Sequence, residues 1–172
     1  HTVIQLIAAG HDVVVIDDFS NAHPSVVGRI EALAGREIAV HRFNLVDEAR
    51  TQELFAQVKP DAVIHFAGYK AVGESVDNPL DYYGNNLEST FSLVRAMTAH
   101  GVRTLVFSSS ATVYGANAPV PMTEDLPTSA TNPYGWTKVM IEQILRDVAA
   151  ADPTWRIALL RYFNPVGAHP SG

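Results

Sequence analysis

Five short runs of branched and aromatic residues, separated by longer amphipathic stretches, constrain this chain most. The runs are "DVVVID" (12–17), "EIAVHRF" (37–43), "DAVIHFA" (61–67), "RTLVFSS" (103–109) and "WRIALLRYF" (155–163). Nearly continuous apolar runs of this length read as strands covered on both faces. The stretches between them carry helix signals. "PSVVGRIEALAG" opens with Pro24 and closes with Gly35, the usual asymmetry of helix ends. "DEARTQELFAQV" begins with an acidic turn at Asp47, which suits the positive end of a helix dipole. "PLDYYGNNLESTFSLVRAMTAHG" (79–101) starts at proline and stops at Gly101. A last helix has Asn132 as its N-cap, Pro133 at its first position and an apolar stripe of Ile141, Ile144, Leu145 and Val148. Strands alternating with helices through short connections predict an α/β fold with parallel strands and right-handed crossovers.

The opening "HTVIQLIAAG" reads as the back half of a helix capped by Gly10 and running into the first strand. In a dinucleotide-binding unit an acidic residue ends the second strand, roughly 20 residues after a Gly-rich loop. Asp17 fills that place, and the count back to the loop passes the start of the chain. "NPVGAHPSG" stops just past a strand. The expectation is an internal fragment of a longer protein.

Ligands of open α/β sheets bind at the carboxyl ends of the strands, and polar residues gather there. Asp17 closes the first run and Asp18 follows it, Asn44 follows the second, "AGYK" (67–70) stands at the end of the third, Ser108, Ser109 and Ser110 at the end of the fourth, and Tyr162, Phe163 and Asn164 at the end of the last. A carboxylate at Asp17 accepts from ribose hydroxyls and repels a 2′-phosphate, which selects NAD over NADP. "NPYGWTK" (132–138) sets Tyr134 and Lys138 four residues apart, one helical turn, so both leave the same face. A free phenol ionises near pH 10 and is a weak base at neutrality; a neighbouring ammonium stabilises the phenolate. Lys138 can also donate to a ribose, and Ser110 can bridge the tyrosine and a substrate hydroxyl. The set is suited to taking a proton from an alcohol while hydride leaves its carbon. The irregular stretch from Tyr114 to Thr131 is expected as a substrate-facing loop.

Other chemistries find little in the sequence. No H-E-x-x-H, G-x-S-x-G or G-x-x-x-x-G-K-[ST] pattern occurs. His65, inside a strand, reads as a satisfied core histidine, and Glu74, Asp77 and Glu124 as loop and helix-start charges. With no cysteine, thiolate metal sites and disulfides are excluded, in keeping with a reducing cytoplasm. A net charge of −6 without a Lys/Arg cluster argues against nucleic acid, and no apolar run approaches the roughly 18 residues of a membrane span.

The Ser110, Tyr134 and Lys138 set resembles the extended short-chain dehydrogenase/reductases. Within them, "HFAGYKAVGESV", "SSSATVYG", "NPYGWTK" and "LRYFNPVGAHPSG" resemble the UDP-glucose 4-epimerases over essentially the whole chain. The resemblance implies a Rossmann-type doubly wound parallel sheet, here without its first strand and Gly-rich loop. Residues 1–172 would be part of an NAD-binding domain, with a sugar-nucleotide domain expected beyond Gly172. It implies tightly held NAD and interconversion of UDP-galactose and UDP-glucose, with Tyr134 as base, Ser110 assisting and Lys138 holding the ribose. Asp17, Asp18, Phe19, Ser20, Asn21 and Ala22 would line the adenosine side, and Asn44 and Leu45 the adenine. Phe66, Ala67, Gly68, Tyr69, Lys70, Asn85 and Phe163 would complete the NAD pocket, and Asn164 would touch the diphosphate. Asn44 stands where the family usually has aspartate. Family members commonly pair as homodimers through the helices that here begin near Pro79 and Pro133. A sibling 4,6-dehydratase or decarboxylase and a non-enzymatic NAD-binding module are the alternatives. A dehydratase should carry an acidic pair where Ala111 and Thr112 stand, and an NAD-binding module has no need of the tyrosine and lysine.

Overall fold

The structure is a computed structural model that describes residues 1–171. In chain order it runs α1 (Thr2–Ala8), β1 (Val14–Ile16), α2 (Val26–Ala34), β2 (Ala39–His41), α3 (Glu48–Val58), β3 (Val63–His65), α4 (Val72–Asp77), α5 (Pro79–Ala99), β4 (Thr104–Ser110), a 3-10 turn (Ala111–Val113), α6 (Pro133–Ala151) and β5 (Arg156–Tyr162). Every strand pair is parallel. This is the α/β class that the alternation of runs predicts.

The chain divides into two compact units. One comprises His1–Asn44 with the segment from Val166 onward and holds the two-stranded β1–β2 sheet, in which Val15 pairs with Val40. Its helix ends follow from glycine: Gly10 and Gly35 stop α1 and α2 at φ 87° and 68°, conformations that cost a side-chain-bearing residue about 1 kcal/mol or more.

The second unit, Leu45–Pro165, holds the β3–β4–β5 sheet. Leu105 pairs with Val63 on one side and Ile157 on the other, so odd-numbered residues of the three strands share one face. That face meets Phe55 of α3, Leu93, Ala96 and Met97 of α5, and Ile141 and Leu145 of α6 in a single core. Leu105, Phe107 and Leu145 are completely buried there, each contributing about 1.5–3 kcal/mol of transfer free energy. Two caps fix where the covering helices begin. The Asp47 carboxylate accepts from Arg50 N at 3.1 Å, and the Asn132 side chain accepts from Gly135 N at 2.8 Å.

The expectation that all five strands are covered on both faces does not hold. β5 alternates, with Leu160 and Tyr162 each 41% exposed, and Val14 of β1 and Ile64 of β3 are also exposed. The packed helices of the second unit meet the odd-numbered face, so the even-numbered residues depend on something other than this core for cover. Two elements are new relative to the sequence reading. Six-residue α4 is too short to show a helical period, and the 3-10 turn is set by the Ser110 hydroxyl, which accepts from Thr112 N at 3.2 Å.

Candidate active site

Three features of the second unit converge on the carboxyl end of β4. α6 starts at Pro133 under the Asn132 cap, which fixes the phase of the helix. Tyr134 and Lys138, one turn apart, thereby both turn inward and are 9% and 5% exposed. The Lys138 ammonium donates to the Ser108 carbonyl at 2.9 Å. It lies 4.8 Å from the centroid of the Phe107 ring and 5.8 Å from that of Tyr134, within cation–π range of both. Burial pulls its pKa down to about 8, because the charged form loses hydration. At neutral pH the lysine is still mostly protonated, so a positive charge stands beside the phenol. Ser110 is half-buried and caps the turn that packs on α6. Thr137, between the pair, donates to the Tyr134 carbonyl at 2.7 Å.

The loop after β3 is held from below. Gly68 adopts φ 141°, and a Cβ there would lie 3.0 Å from Asn86 Oδ1. The Asn86 side chain accepts from Tyr69 N at 2.7 Å, donates to the Tyr69 carbonyl at 3.0 Å, and donates to Thr137 Oγ1 at 3.1 Å. The loop that carries Ala67, Gly68, Tyr69 and Lys70 is thus tied to the helix of Tyr134 through one buried amide. Asn85 adjoins it, donating to Asn86 Oδ1 at 3.2 Å. Phe66 and Phe163, at the ends of β3 and β5, are 50% and 58% exposed, and Asn164 is exposed. Leu45 is buried.

His65 is buried against Phe107. Its Nε2 pairs with Thr90 Oγ1 at 3.1 Å, but Nδ1 has no hydrogen-bond partner among the described residues. The core histidine is satisfied on one nitrogen only. Burial, aided by the Lys138 charge, pushes its pKa down to about 3, so it is neutral.

In the first unit, Asp17 and Asp18 follow β1. Asp17 accepts from Phe19 N at 2.8 Å, and Asp18 accepts from Ser20 N at 2.9 Å and from the Asn44 amide at 2.9 Å. Phe19 sits at φ 57°, strained for a residue with a side chain, and its ring lies under Arg42 at 5.5 Å. Asn21 is exposed and Ala22 half-buried, in the bends that follow. Asn44 is therefore a partner of Asp18, a role that neither composition nor spacing reveals.

Sequence reasoning missed Asn86, Glu142 and Arg161. Glu142 is 1% exposed, accepting from Ser109 Oγ at 2.6 Å and from Arg161 at 2.8 and 3.0 Å. The signal was present: Glu142 continues the inward stripe of Tyr134, Lys138 and Ile141, and Arg161 continues that of Ile157 and Leu159. A charge in an inward register needs a partner.

Over residues 1–172 the chain matches the NAD dependent epimerase/dehydratase family. The UDP-glucose 4-epimerase of Bacillus subtilis (strain 168) is 52% identical over 172 residues, all of this chain and 51% of that protein. The crystal structure of UDP-glucose 4-epimerase from Bifidobacterium longum in complex with NAD+ and UDP superposes with a TM-score of 0.97 at 51% identity. The match covers 99% of this chain and 51% of that one. The Stenotrophomonas maltophila UDP-glucose-4-epimerase with bound NAD and formylated UDP-arabinopyranose gives 0.96 at 44% identity, covering 99% and 51%. The chain spans about half the length of the curated relatives it matches. From its sequence match and its parallel α/β architecture, the chain belongs to the NAD dependent epimerase/dehydratase family.

Proposed function

We propose that the protein carrying this chain interconverts UDP-galactose and UDP-glucose by transient oxidation at sugar C4 with tightly bound NAD. The observation that carries this reading is the buried Tyr134 and Lys138 pair on one face of α6, with the ammonium 5.8 Å from the phenol ring and tied to the Ser108 carbonyl. Relatives at this identity that bear the epimerase name support the choice of substrate.

The residues present suit NAD. Asp17 is an acceptor for ribose hydroxyls, and the exposed Phe66 and Phe163 offer apolar surface at the strand ends. Asp18 and residues 19–22 would line the adenosine side, with Asn44 and Leu45 at the adenine. Residues 66–70, Asn85 and Lys138 would hold the nicotinamide half. NAD, when bound, supplies reversible hydride acceptance, which no side chain can offer.

The chain supplies the proton chemistry. Tyr134 Oη takes the proton of the C4 hydroxyl as the C4–H bond breaks. Ser110 relays or orients that proton from the neighbouring strand end. Lys138, charged at pH 7, stabilises the Tyr134 phenolate before the transfer, and the neutral phenol that results keeps the proton while the sugar is a ketone at C4, until the hydrogen returns from the opposite face. Tyr134 then gives the proton back. Asn164 would contact the nucleotide-sugar diphosphate. Ala111–Val113, just after Ser110, forms a 3-10 turn without a carboxylate, which favours epimerisation over dehydration, since expelling the 6-hydroxyl calls for an acid and a base.

The proposal extends to the whole protein. The 172 residues would form part of an NAD-binding Rossmann domain, with a sugar-nucleotide domain elsewhere in the whole protein. A cytoplasmic homodimer is the expected state, with neither nucleic acid nor membrane as partner. Leu80 and Phe91 on α5, and Trp136 and Met140 on α6, are 82%, 38%, 38% and 40% exposed, and pairing through these helices would cover them. Tyr134→Phe, made in a protein of the relatives' full length, tests the assignment of the base. Turnover of UDP-galactose should fall by at least a hundredfold with nucleotide content unchanged; unaltered turnover removes the phenol from the mechanism.

A further inference from the structure

Arg161 lies on the inward face of β5, opposite Ser109 of β4, with its side chain 9% exposed. Its Nε and one terminal nitrogen donate to the two oxygens of Glu142 at 3.0 and 2.8 Å, a bidentate fork that only a guanidinium can form. Glu142 sits one turn of α6 beyond Lys138 and two beyond Tyr134. The same carboxylate accepts from Ser109 Oγ at 2.6 Å and from Arg146 at 3.1 Å. Burial works to raise the Glu142 pKa, but the Arg161 and Ser109 hydrogen bonds and the two arginine charges outweigh it and hold it low. The pair is ionic.

The remaining terminal nitrogen of Arg161 leaves the core. It donates to the Glu124 carbonyl at 3.2 Å, and the guanidinium covers the Tyr114 ring at 4.8 Å. Tyr114 stacks on Phe163 at 6.5 Å and bridges to Ser129, whose N–H donates to the Val113 carbonyl at 2.7 Å. One side chain therefore touches α6 at Glu142 and the 114–131 loop at Tyr114 and Glu124, and it is linked to β4 through the Glu142 bond with Ser109. Lys138 grips Ser108, Glu142 grips Ser109, and Ser110 comes next.

We propose that Arg161 is a positioning residue: its fork on Glu142 fixes the 114–131 loop and the Ser108–Ser110 strand end against the helix that carries Tyr134 and Lys138. This rests on the epimerase reading above, deepening it from the reacting groups to what aligns them and holds the substrate loop. Stability alone is a poor account of the pair, because buried ion pairs can be replaced by apolar residues of similar volume at little cost or with a gain. An apolar pair would fill the core and leave Glu124 and Tyr114 without their anchor.

The test uses a protein of the relatives' full length. Arg161→Lys keeps the charge and loses the fork; Glu142→Leu with Arg161→Met removes both charges, so a variant survives if the lysine one does not fold. In each folded variant kcat should drop at least tenfold with nucleotide content retained. Cleavage at Glu124 by a glutamyl endopeptidase, followed by mass spectrometry without added substrate, should quicken at least fivefold. The apolar pair should regain the parent's urea midpoint without regaining kcat. Recovery of kcat together with the midpoint, or unchanged cleavage at Glu124, overturns the proposal. Tyr134→Phe run in parallel separates the two readings: full turnover there sinks the epimerase mechanism, whereas the Glu124 cleavage rate reports on Arg161 alone.

Discussion

Replacing Lys138 by methionine sets stability against catalysis. The ammonium is 5% exposed, and burial takes its pKa from 10.5 to about 8. At about 1.4 kcal/mol per pKa unit, holding the charge inside costs about 3 kcal/mol at pH 7. Methionine fills similar space without that cost but leaves the Ser108 carbonyl without its donor, a loss of about 1–3 kcal/mol. The variant should therefore be as stable as the parent at pH 7, or more stable by up to about 2 kcal/mol, and inactive. The pH dependence is the sharper signature. Below pH 8 the folded and unfolded parent both carry the proton, and the full penalty applies. Between pH 8 and 10.5 the unfolded chain binds more protons than the folded one, so parental stability rises with pH. Over that window the parent should gain about 3 kcal/mol relative to Lys138→Met, because groups common to both chains cancel. Urea unfolding of the two proteins at half-unit pH intervals measures the difference. A flat difference from pH 8 to 10.5, or a variant several kcal/mol weaker at pH 7, refutes the reasoning.

Substitutions at Gly68 and Asn132, each with a control variant, probe the scaffold. Gly68→Ala imposes a Cβ 3.0 Å from Asn86 Oδ1 on a backbone at φ 141°; with strain of about 1–3 kcal/mol, it should weaken NAD retention, read by nucleotide release on gel filtration, while Gly35→Ala, with open space around its Cβ, should leave retention intact. Asn132→Ala removes the acceptor of Gly135 N and should cost about 1 kcal/mol of stability; Asn132→Asp should recover it in urea unfolding, and failure to do so denies the cap its role.

The sequence made the strand positions legible because branched residues cluster in short runs; four of the five strands lie inside their runs, and β4 passes the end of its run by one residue, Ser110. It also made the Tyr134 and Lys138 face legible, since a proline and an N-cap fix the helix phase. Burial was harder to read. "WRIALLRYF" is apolar at nearly every position, yet Leu160 and Tyr162 face outward, and composition does not say which face of a sheet its helices cover. The Glu142 and Arg161 pair escaped for a related reason. Each looks like an ordinary surface charge until β5 and α6 come together across β4, and their partnership spans 19 residues of sequence. Asn86 escaped because its neighbour Asn85 matches the family pattern, while the amide that ties the Tyr69 loop to Thr137 does so only through tertiary contacts.

The most direct test is to incubate a protein of the relatives' full length with UDP-galactose in deuterium oxide and follow the sugar by NMR. UDP-glucose should accumulate with the original hydrogen at C4, because hydride leaves and returns within one site while Tyr134 handles only the hydroxyl proton. No epimer, or an epimer carrying deuterium at C4, would contradict transient oxidation and the roles given to Tyr134 and Lys138.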